Sequence, residues 1–469
     1  MIPPTPHPAF SGAIWPAIPQ PPAAALLAVL GQLAESQFMS AEQLAIARRP
    51  QIEALMDHAA AQLPFWRDRL QAAGLDREAR HRTALTLAEW NGRWSSLPIL
   101  TRAEVQSLGE SLRVATLPDG HGSIGESVTS GSSGRPVRIA RSTLDYFYWQ
   151  AFQLRDHVWR GRDLSGRFLS ILRDERRETM DESVHLRSME NWGPPASVVW
   201  PTGPSFLLDY RTSIHALVET IREVKPDYLC TFPSLLLEIL RHARAGDIKL
   251  PPLKEAIGVG EASPPELAGL CREIWDAPLA STYTAAETGA MAYQCLEGRW
   301  HLQSEKSIIE VLDADGRPCA PGETGRVIVT PLHNFAMPLL RYEIGDLATV
   351  GEGPCPCGRT LPILDAIPGR ARDLLMLPSG ELRPPYYGHG AVMKVRSIRQ
   401  HQVIQTSRNH VLFQLVVAQP LTREEEDHII RSATEALGGA FDVSIGYVDE
   451  ILRSPNGKFA EFERRFEIP

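Results

Sequence analysis

The sequence predicts an α/β chain in two unequal parts, a large layered N-terminal domain and a small mobile α+β C-terminal domain. Three observations carry this. Between about residues 110 and 350, short β-branched or apolar runs alternate with helical stretches, as expected of sheets layered with helices. After Pro368 the composition resets, and strand, helix and strand patterns follow within the last hundred residues. The chain has 469 residues, 43% of them apolar, enough to bury more than one core.

The first 22 residues hold eight prolines and neither Lys nor Arg. They read as a polyproline-like arm, because a secretory leader needs a basic start and an apolar stretch. Residues 23–72 read as helical. Ala24 to Phe38 has helical spacing, and Ala41 to Leu63 carries Leu44, Ile52, Leu55 and Met56 as its apolar positions. Ser40 with Gln43 three residues on makes a capping-box pattern, and Pro50 predicts a break or kink in the second helix. Thr101 and Glu104 repeat the capping pattern after Leu97-Pro-Ile-Leu.

Farther along, Arg167 to Leu172, Tyr228 to Phe232, Glu255 to Val259 and Arg326 to Val329 read as strands. Thr212 to Val224 and Ser234 to Ala245 read as helices, the latter with Gly246 just past its end. In the final part, Leu374 to Leu377, Val411 to Val417 and Val443 to Val448 read as strands. Thr422 to Leu437 reads as a helix, capped by Thr422 with Glu425 and followed by Gly438. A boundary near Pro368 to Arg372 divides the chain into an arm (1–22), a large domain (23–368) and a small one (369–469).

Several functional classes are excluded at this point. A net charge of −8 with no basic run argues against nucleic-acid binding. The longest apolar run, Ala23 to Leu30, falls far short of the roughly 18–20 residues that span a bilayer. Six cysteines in so long a chain do not make a disulfide framework, and the compartment read from this is cytoplasmic.

One loop stands out. Val128-Thr-Ser-Gly-Ser-Ser-Gly-Arg-Pro-Val137 places Thr129, Ser130, Ser132 and Ser133 around Gly131 and Gly134, with Arg135 beside them. Glycines that let main-chain N–H groups turn inward, hydroxyls and one cation suit a polyphosphate. It is not a Walker A loop, and composition alone fits a flexible Ser/Gly turn equally well.

The loop resembles the phosphate loop of the acyl-adenylate-forming superfamily, and further motifs of that superfamily follow in order. Gly258-Val-Gly-Glu261 resembles the segment lining the acyl pocket. Tyr283-Thr-Ala-Ala-Glu287 resembles the aromatic-Gly-x-Thr-Glu motif, and Arg341-Tyr-Glu-Ile-Gly-Asp346 the Tyr-x-x-Gly-Asp motif. Gly369-Arg370 resembles the hinge, and Pro455-Asn-Gly-Lys458 the C-terminal Gly-Lys. Leu97-Pro-Ile-Leu-Thr-Arg102, Lys225-Pro-Asp-Tyr228, Phe232-Pro-Ser234 and Cys355-Pro-Cys-Gly-Arg359 point within it to the phenylacetate-CoA ligase-like branch. The resemblance spans roughly Leu97 to Lys458.

The resemblance implies a large adenylate-forming domain and a mobile small one, and attack of a carboxylate on the α-phosphate of ATP. Thr129 to Gly134 and Arg135, which replaces the family's Lys, would hold the β- and γ-phosphates. Gly260, Glu261, Tyr283, Thr284 and Asp346 would bind the nucleotide, with Tyr283 on adenine and Asp346 accepting both ribose hydroxyls. Glu287 would ligate Mg²⁺. Arg370 would approach ribose and phosphate, and Lys458 would bridge the substrate carboxylate and the α-phosphate. Three positions depart from the family pattern. Thr284 replaces Gly, and Ala286 replaces a hydroxyl residue, leaving Thr288 as a substitute. Arg372, followed by Asp373, replaces the Asp or Lys of the hinge, which bears on domain rotation.

Cys355 and Cys357, with Cys295 and His301 about sixty residues earlier, supply Cys₃His. That is a structural zinc set with no open position, and His333 is a fallback ligand. Candidates for the acyl pocket are Gly258 to Ala262 and the aromatics Tyr146, Phe147, Tyr148 and Trp149, although such a run also suits core packing. The family bias is toward aryl or arylacetic acids, with coenzyme A as acceptor. An amine or a carrier-protein thiol as acceptor, a non-catalytic nucleotide-binding relative, and a homodimer all stay open.

Overall fold

A computed structural model describes residues 5–82, 85–128, 137–174, 176, 185–264, 266–370, 374–380, 382–383, 392, 395, 397–453, 459 and 462–466. The chain forms two compact units. The first comprises Met1–Phe168, Arg187–Phe206 and Ala280–Ile367; the second comprises Leu169–Leu186, Leu207–Leu279 and Pro368–Pro469.

The first unit opens with helices. Ser40, Thr86 and Thr101 each close a capping box, with Gln43, Glu89 and Glu104 respectively, and so satisfy N–H groups that a helix start leaves open. The helix Ala41–Gln62 runs unbroken through Pro50, contrary to the predicted break. Ile52, Leu55, Met56 and Ala59 are buried along one side of it, and that packing outweighs the roughly 3 kcal/mol that an internal proline costs. The proline-rich arm does not run straight into the first helix. Ala9 N–H donates to Ile18 O at 2.7 Å and Pro8 bridges to Pro19, so the arm folds back on itself before the helix Pro21–Ser36.

Seven strands of the first unit follow in the spatial order Ser307–Leu312, Thr324–Pro331, Tyr342–Val350, Ile363–Arg370, Trp300–Leu302, Gly289–Gln294, Leu279–Ala285. Val327, Val329, Met337, Leu339 and Tyr342 pack with Ile52, Trp66, Trp90 and Trp94 from the helices in one core. A separate antiparallel hairpin, Ile124–Val128 with Arg138–Ser142, flanks residues 129–136. Its last residue, Ser142, caps the helix Thr143–Arg160 by accepting Asp145 N–H.

In the second unit, Tyr228–Thr231 pairs in parallel with Glu255–Gly258. Helices Ile214–Val224, Pro233–Ala245 and Leu267–Trp275 belong to the same unit and present strongly apolar buried faces. Toward the C-terminus a four-stranded sheet has the order Asp442–Tyr447, His410–Val417, Ile398–Ser407, Phe462–Arg464. The helix Arg423–Ala436, capped by Thr422 with Glu425, packs Ile429 and Ala433 against Val403, Val411 and Phe413. The capped helix and the strands His410–Val417 and Asp442–Tyr447 match the sequence reading; Ile398–Ser407 and Phe462–Arg464 lie outside that reading, and Leu375–Met376 pairs with Leu382–Arg383 in a separate two-stranded sheet.

Candidate active site and candidate metal centre

The first unit brings three sequence motifs together. Strand Leu279–Ala285 turns sharply into Gly289–Gln294, with a register shift between Tyr283 and Thr284, and Glu287 sits at the tip of that turn. Gly289 has φ +76°. A side chain there would lie 3.3 Å from Trp149 Cδ1 and 3.4 Å from Arg141 Nη2, so both backbone angle and space favour glycine. Tyr283 donates its hydroxyl to Asp346 Oδ2 at 2.8 Å, joining residues sixty-three apart in the chain. Glu287, only 4% exposed, receives Arg102 Nη1 at 3.1 Å. Among the described residues, buried Thr288 Oγ1 has no hydrogen-bond partner, and it follows Glu287 directly in the chain, so a carboxylate and a hydroxyl, both groups that suit a hard cation, come from neighbouring residues.

Arg102 and Arg341 are the residues that sequence reasoning missed. Arg341 holds an unusual backbone angle, φ 48°. Its Nη1 donates to Ser95 O at 2.7 Å and Leu97 O at 2.6 Å, while Nε and Nη2 grip Glu310 at 3.2 and 3.1 Å. Leu100 and Arg341 also share main-chain bonding. Arg341 thereby fixes the Leu97–Leu100 stretch that leads into Arg102, and Arg102 reaches Glu287. The only signal in the sequence was that both arginines fall inside recognised motifs.

Beneath the turn lies a buried charge cluster that the sequence did not announce. Asp145 accepts Arg141 Nε at 2.6 Å and is paired with the fully buried Lys306. Burial opposes ionisation of Asp145, but the two cations hold its carboxyl below the ordinary range. His333 is stacked on Tyr148 with ring centres 3.7 Å apart. Burial, with Lys306 nearby, pushes His333 down to about 3. Its place is here rather than among the Cys₃His ligands. Of the other aromatics, Phe147 packs against the Leu26 and Trp200 cluster, and Tyr146 is half exposed.

In the second unit Gly260 takes φ +79° after strand Glu255–Gly258, and Glu261 follows. Glu261 Oε2 accepts Ser234 N–H at 3.1 Å and Oε1 accepts Phe459 N–H at 2.6 Å. Burial pushes its carboxyl above the usual range, against the pull of those donors and of Arg453. Arg370 ends the strand Ile363–Arg370 and is partly buried. Thr129, Ser130, Gly131, Ser132, Ser133, Gly134, Arg135, Arg372, Asp373 and Lys458 lie outside the described residues.

The ligand atoms of Cys295, His301, Cys355 and Cys357 all lie within 4.8 Å of one another. Cys295 Sγ is 3.6 Å from Cys355 Sγ, and Cys357 Sγ is 3.3 Å from His301 Nε2. Tetrahedral zinc with bonds of about 2.3 Å sets sulfurs roughly 3.8 Å apart, so the donor set fits that ion. Burial and nearby guanidinium groups push His301 down to about 4, leaving a neutral ring. Burial would raise the Cys357 thiol, but Arg359 outweighs it and holds the thiol below its ordinary value.

Comparison with known proteins follows the same lines. The AMP-binding enzyme family matches residues 196–335, and the CapK C-terminal domain matches residues 389–463. A phenylacetate-coenzyme A ligase of Thermus thermophilus is 27% identical over 183 residues, 35% of this chain and 41% of that protein. The Escherichia coli enzyme of the same name is 28% identical over 213 residues, 42% and 46% of the two chains. The chain thus spans less than half the length of the curated relatives it matches. Among solved structures, 2-hydroxyisobutyryl-CoA ligase in complex with 2-HIB-AMP superposes with a TM-score of 0.68 at 18% identity, covering 92% of this chain and 90% of that one. An anthranilate CoA ligase bound to anthranoyl-AMP gives 0.53 at 16% identity over 74% and 68%. The resemblance to the acyl-adenylate-forming superfamily, in its phenylacetate-CoA ligase-like branch, is borne out by these matches, and the structural ones establish the fold. Among the described residues no helix is long and apolar enough to cross a membrane.

Proposed function

We propose that this chain is an AMP-forming carboxylate–CoA ligase. The observation that carries the reading is the meeting of the Tyr283–Glu287 and Arg341–Asp346 motifs, through the Tyr283–Asp346 hydrogen bond, on a fold shared with adenylate-forming enzymes. In the first step the substrate carboxylate oxygen bonds to the α-phosphorus of ATP while the bond from that phosphorus to the bridging oxygen breaks, releasing pyrophosphate. In the second the thiol of coenzyme A attacks the acyl carbon, AMP leaves, and the thiol proton is lost.

The protein's task is to align two anions and offset their charge, because little covalent work falls to it. Tyr283 and Asp346 receive adenine and ribose, with Thr284, Gly260 and Glu261 on the nucleotide. Thr129 to Arg135 cradle the outer phosphates, Arg370 approaches the ribose, and Lys458 lies between the reacting anions. Glu287 and Thr288 would hold Mg²⁺, which would supply charge neutralisation to the polyphosphate. Cys295, His301, Cys355 and Cys357 would hold a zinc ion that staples their loops and leaves no open position. The family bias favours an aryl or arylacetic acid, the mobile part is residues 369–469, and the free cysteines favour the cytoplasm.

The test is acid-dependent exchange of labelled pyrophosphate into ATP. Wild-type protein should exchange, and Asp346→Ala should raise the ATP concentration needed by roughly tenfold or more, the order of one charged hydrogen bond. Exchange that needs no acid, or an Asp346→Ala variant with unchanged ATP dependence, would contradict the assignment.

A further inference from the structure

The floor beneath the Glu287 turn is built from charged groups rather than apolar ones. Gly289 is buried and opens the strand Gly289–Gln294 two residues after Glu287. A Cβ on it would meet Trp149 Cδ1 at 3.3 Å, Arg141 Nη2 at 3.4 Å and Lys306 Cε at 3.6 Å, so nothing beneath the turn is slack. One carboxylate gathers the two cations. Asp145 Oδ2 accepts Arg141 Nε at 2.6 Å, and Asp145 Oδ1 pairs with the ammonium of Lys306. The side chains of Asp145 and Lys306 are 2% and 0% exposed. Each member is anchored in turn. Asp145 N–H donates to Ser142 Oγ at 3.2 Å, the Lys306 carbonyl accepts Leu332 N–H at 2.9 Å, and Asn334 Nδ2 donates to Ala140 O at 3.0 Å. Among the described residues, Arg141 Nη2 is buried without a hydrogen-bond partner. Its place against Gly289 is therefore not explained by its own bonding.

We propose that Arg141, held by Asp145 and Lys306, is a positioning residue for Glu287, fixing from below the backbone that presents this carboxylate to a divalent cation. The proposal rests on the Mg²⁺ role given to Glu287 in the ligase reading above. Mg²⁺ demands near-ideal octahedral geometry with oxygens at about 2.1 Å. A carboxylate on a hairpin tip meets that demand only where the tip can neither sink nor tilt. The hairpin's own bonding is weak at this point. Its register shifts between Tyr283 and Thr284, and Thr288 N–H reaches Ala285 O at 3.3 Å. A guanidinium fixed by a buried ionic network supplies the stiffness that the ladder lacks, because such a network has one satisfied arrangement where apolar side chains could repack.

The test follows the Mg²⁺ requirement of the full-length protein by two readouts. One needs no turnover: with ATP present and no acid, it is the MgCl₂ concentration that gives half the rise in melting temperature. The other is the MgCl₂ concentration that gives half-maximal acid-dependent pyrophosphate exchange. Arg141→Met removes the guanidinium and should raise both half-points by ~10-fold, the scale seen when a residue supporting a metal ligand is lost. Excess MgCl₂ should then recover most of the exchange. Asp145→Asn frees both cations and should raise the half-points further, up to about 100-fold. Arg141→Lys keeps a charge for Asp145 and should fall between wild type and Arg141→Met. Lower melting temperatures with unmoved half-points would mean a merely structural role and overturn the proposal. The Arg141 side chain is 15% exposed, so its two variants keep the test open if Asp145→Asn fails to fold. Glu287→Gln separates this proposal from the reading beneath it. If Glu287→Gln shifts the half-points and the Arg141 variants do not, only the positioning role fails. If Glu287→Gln leaves them unmoved, or wild-type protein responds to Mg²⁺ by neither readout, the Mg²⁺ role of Glu287 fails and the positioning role with it. If wild-type protein exchanges with no acid yet its melting half-point shifts in Arg141→Met, the ligase reading fails and the positioning role stands.

Discussion

Two carboxylates that the sequence motifs single out, one in each unit, are held in opposite ways. Glu287, on a hairpin tip, faces a side chain, the guanidinium of Arg102 at 3.1 Å. Glu261, on a loop after a strand, faces main-chain N–H groups of Ser234 and Phe459. A side-chain partner can swing aside and surrender the carboxylate to a cation. A main-chain N–H in the first turn of a helix cannot. The partner of Glu287 is thus one that a cation could displace, while those of Glu261 are main-chain groups, although both residues sit in motifs that look alike in sequence, a short glycine- or alanine-rich stretch ending in Glu.

The comparison breaks most visibly at Glu287. Glu287→Gln keeps the shape and removes the charge, and pyrophosphate release should fall on the order of 10²- to 10³-fold, the loss typical of one transition-state electrostatic contact. Arg102→Met sharpens the point. It leaves a buried carboxylate unpaired until a divalent cation arrives, so Mg²⁺ should raise the melting temperature of this variant more than that of the wild type. Equal Mg²⁺ responses would mean that Arg102 and the cation do not share the carboxylate.

The Cys₃His cluster extends the contrast to four side chains whose ligand atoms lie close enough together to hold a metal ion. Protein purified without chelator should carry about one zinc per chain, as four closed ligands imply. Cys355→Ser should lose that zinc and melt several degrees lower, with a smaller effect on the concentration of ATP needed. Far less than one zinc per chain in the wild type would remove the metal from the account.

The smallest effect belongs to the support beneath Glu287. His333 ionises near 6.5 when unfolded and only at about 3 in the fold, where burial opposes its charge, Lys306 and His121 add to that, and Asp145 resists it. Below about pH 6.5 the unfolded chain takes a proton that the folded chain refuses, so stability is fully present above that value and drains as pH falls toward 3. The slope is about 1.4 kcal/mol per pH unit for this one group. Melting temperature recorded from pH 7.5 to 5 should fall, and His333→Gln should flatten part of the fall. An unchanged slope in that variant would assign the effect elsewhere.

Local features were legible in the sequence because their causes are local. The capping boxes at Ser40, Thr101 and Thr422 were read correctly, and the one at Thr86 was equally readable from Thr86-Leu-Ala-Glu89 but went unnoticed. The break expected at Pro50 is absent from the helix Ala41–Gln62, because the burial of Ile52, Leu55 and Met56 is a tertiary fact. The motif residues Tyr283, Glu287 and Asp346 could be named, and the Cys₃His set could be proposed, from spacing and resemblance. What could not be read were the partners. Arg102 lies 185 positions from Glu287, Lys306 lies 161 from Asp145, and Phe459 lies 198 from Glu261. No short pattern encodes pairings at such separations; only the folded chain supplies them.

The most direct test of the central claim is pyrophosphate release with ATP and Mg²⁺ across aryl, arylacetic and aliphatic acids, with and without coenzyme A. The ligase account predicts release that depends on a particular acid, strongest among the aryl or arylacetic ones, and that accelerates when coenzyme A is added. Release that ignores coenzyme A, or no release with any acid of the panel, would contradict it.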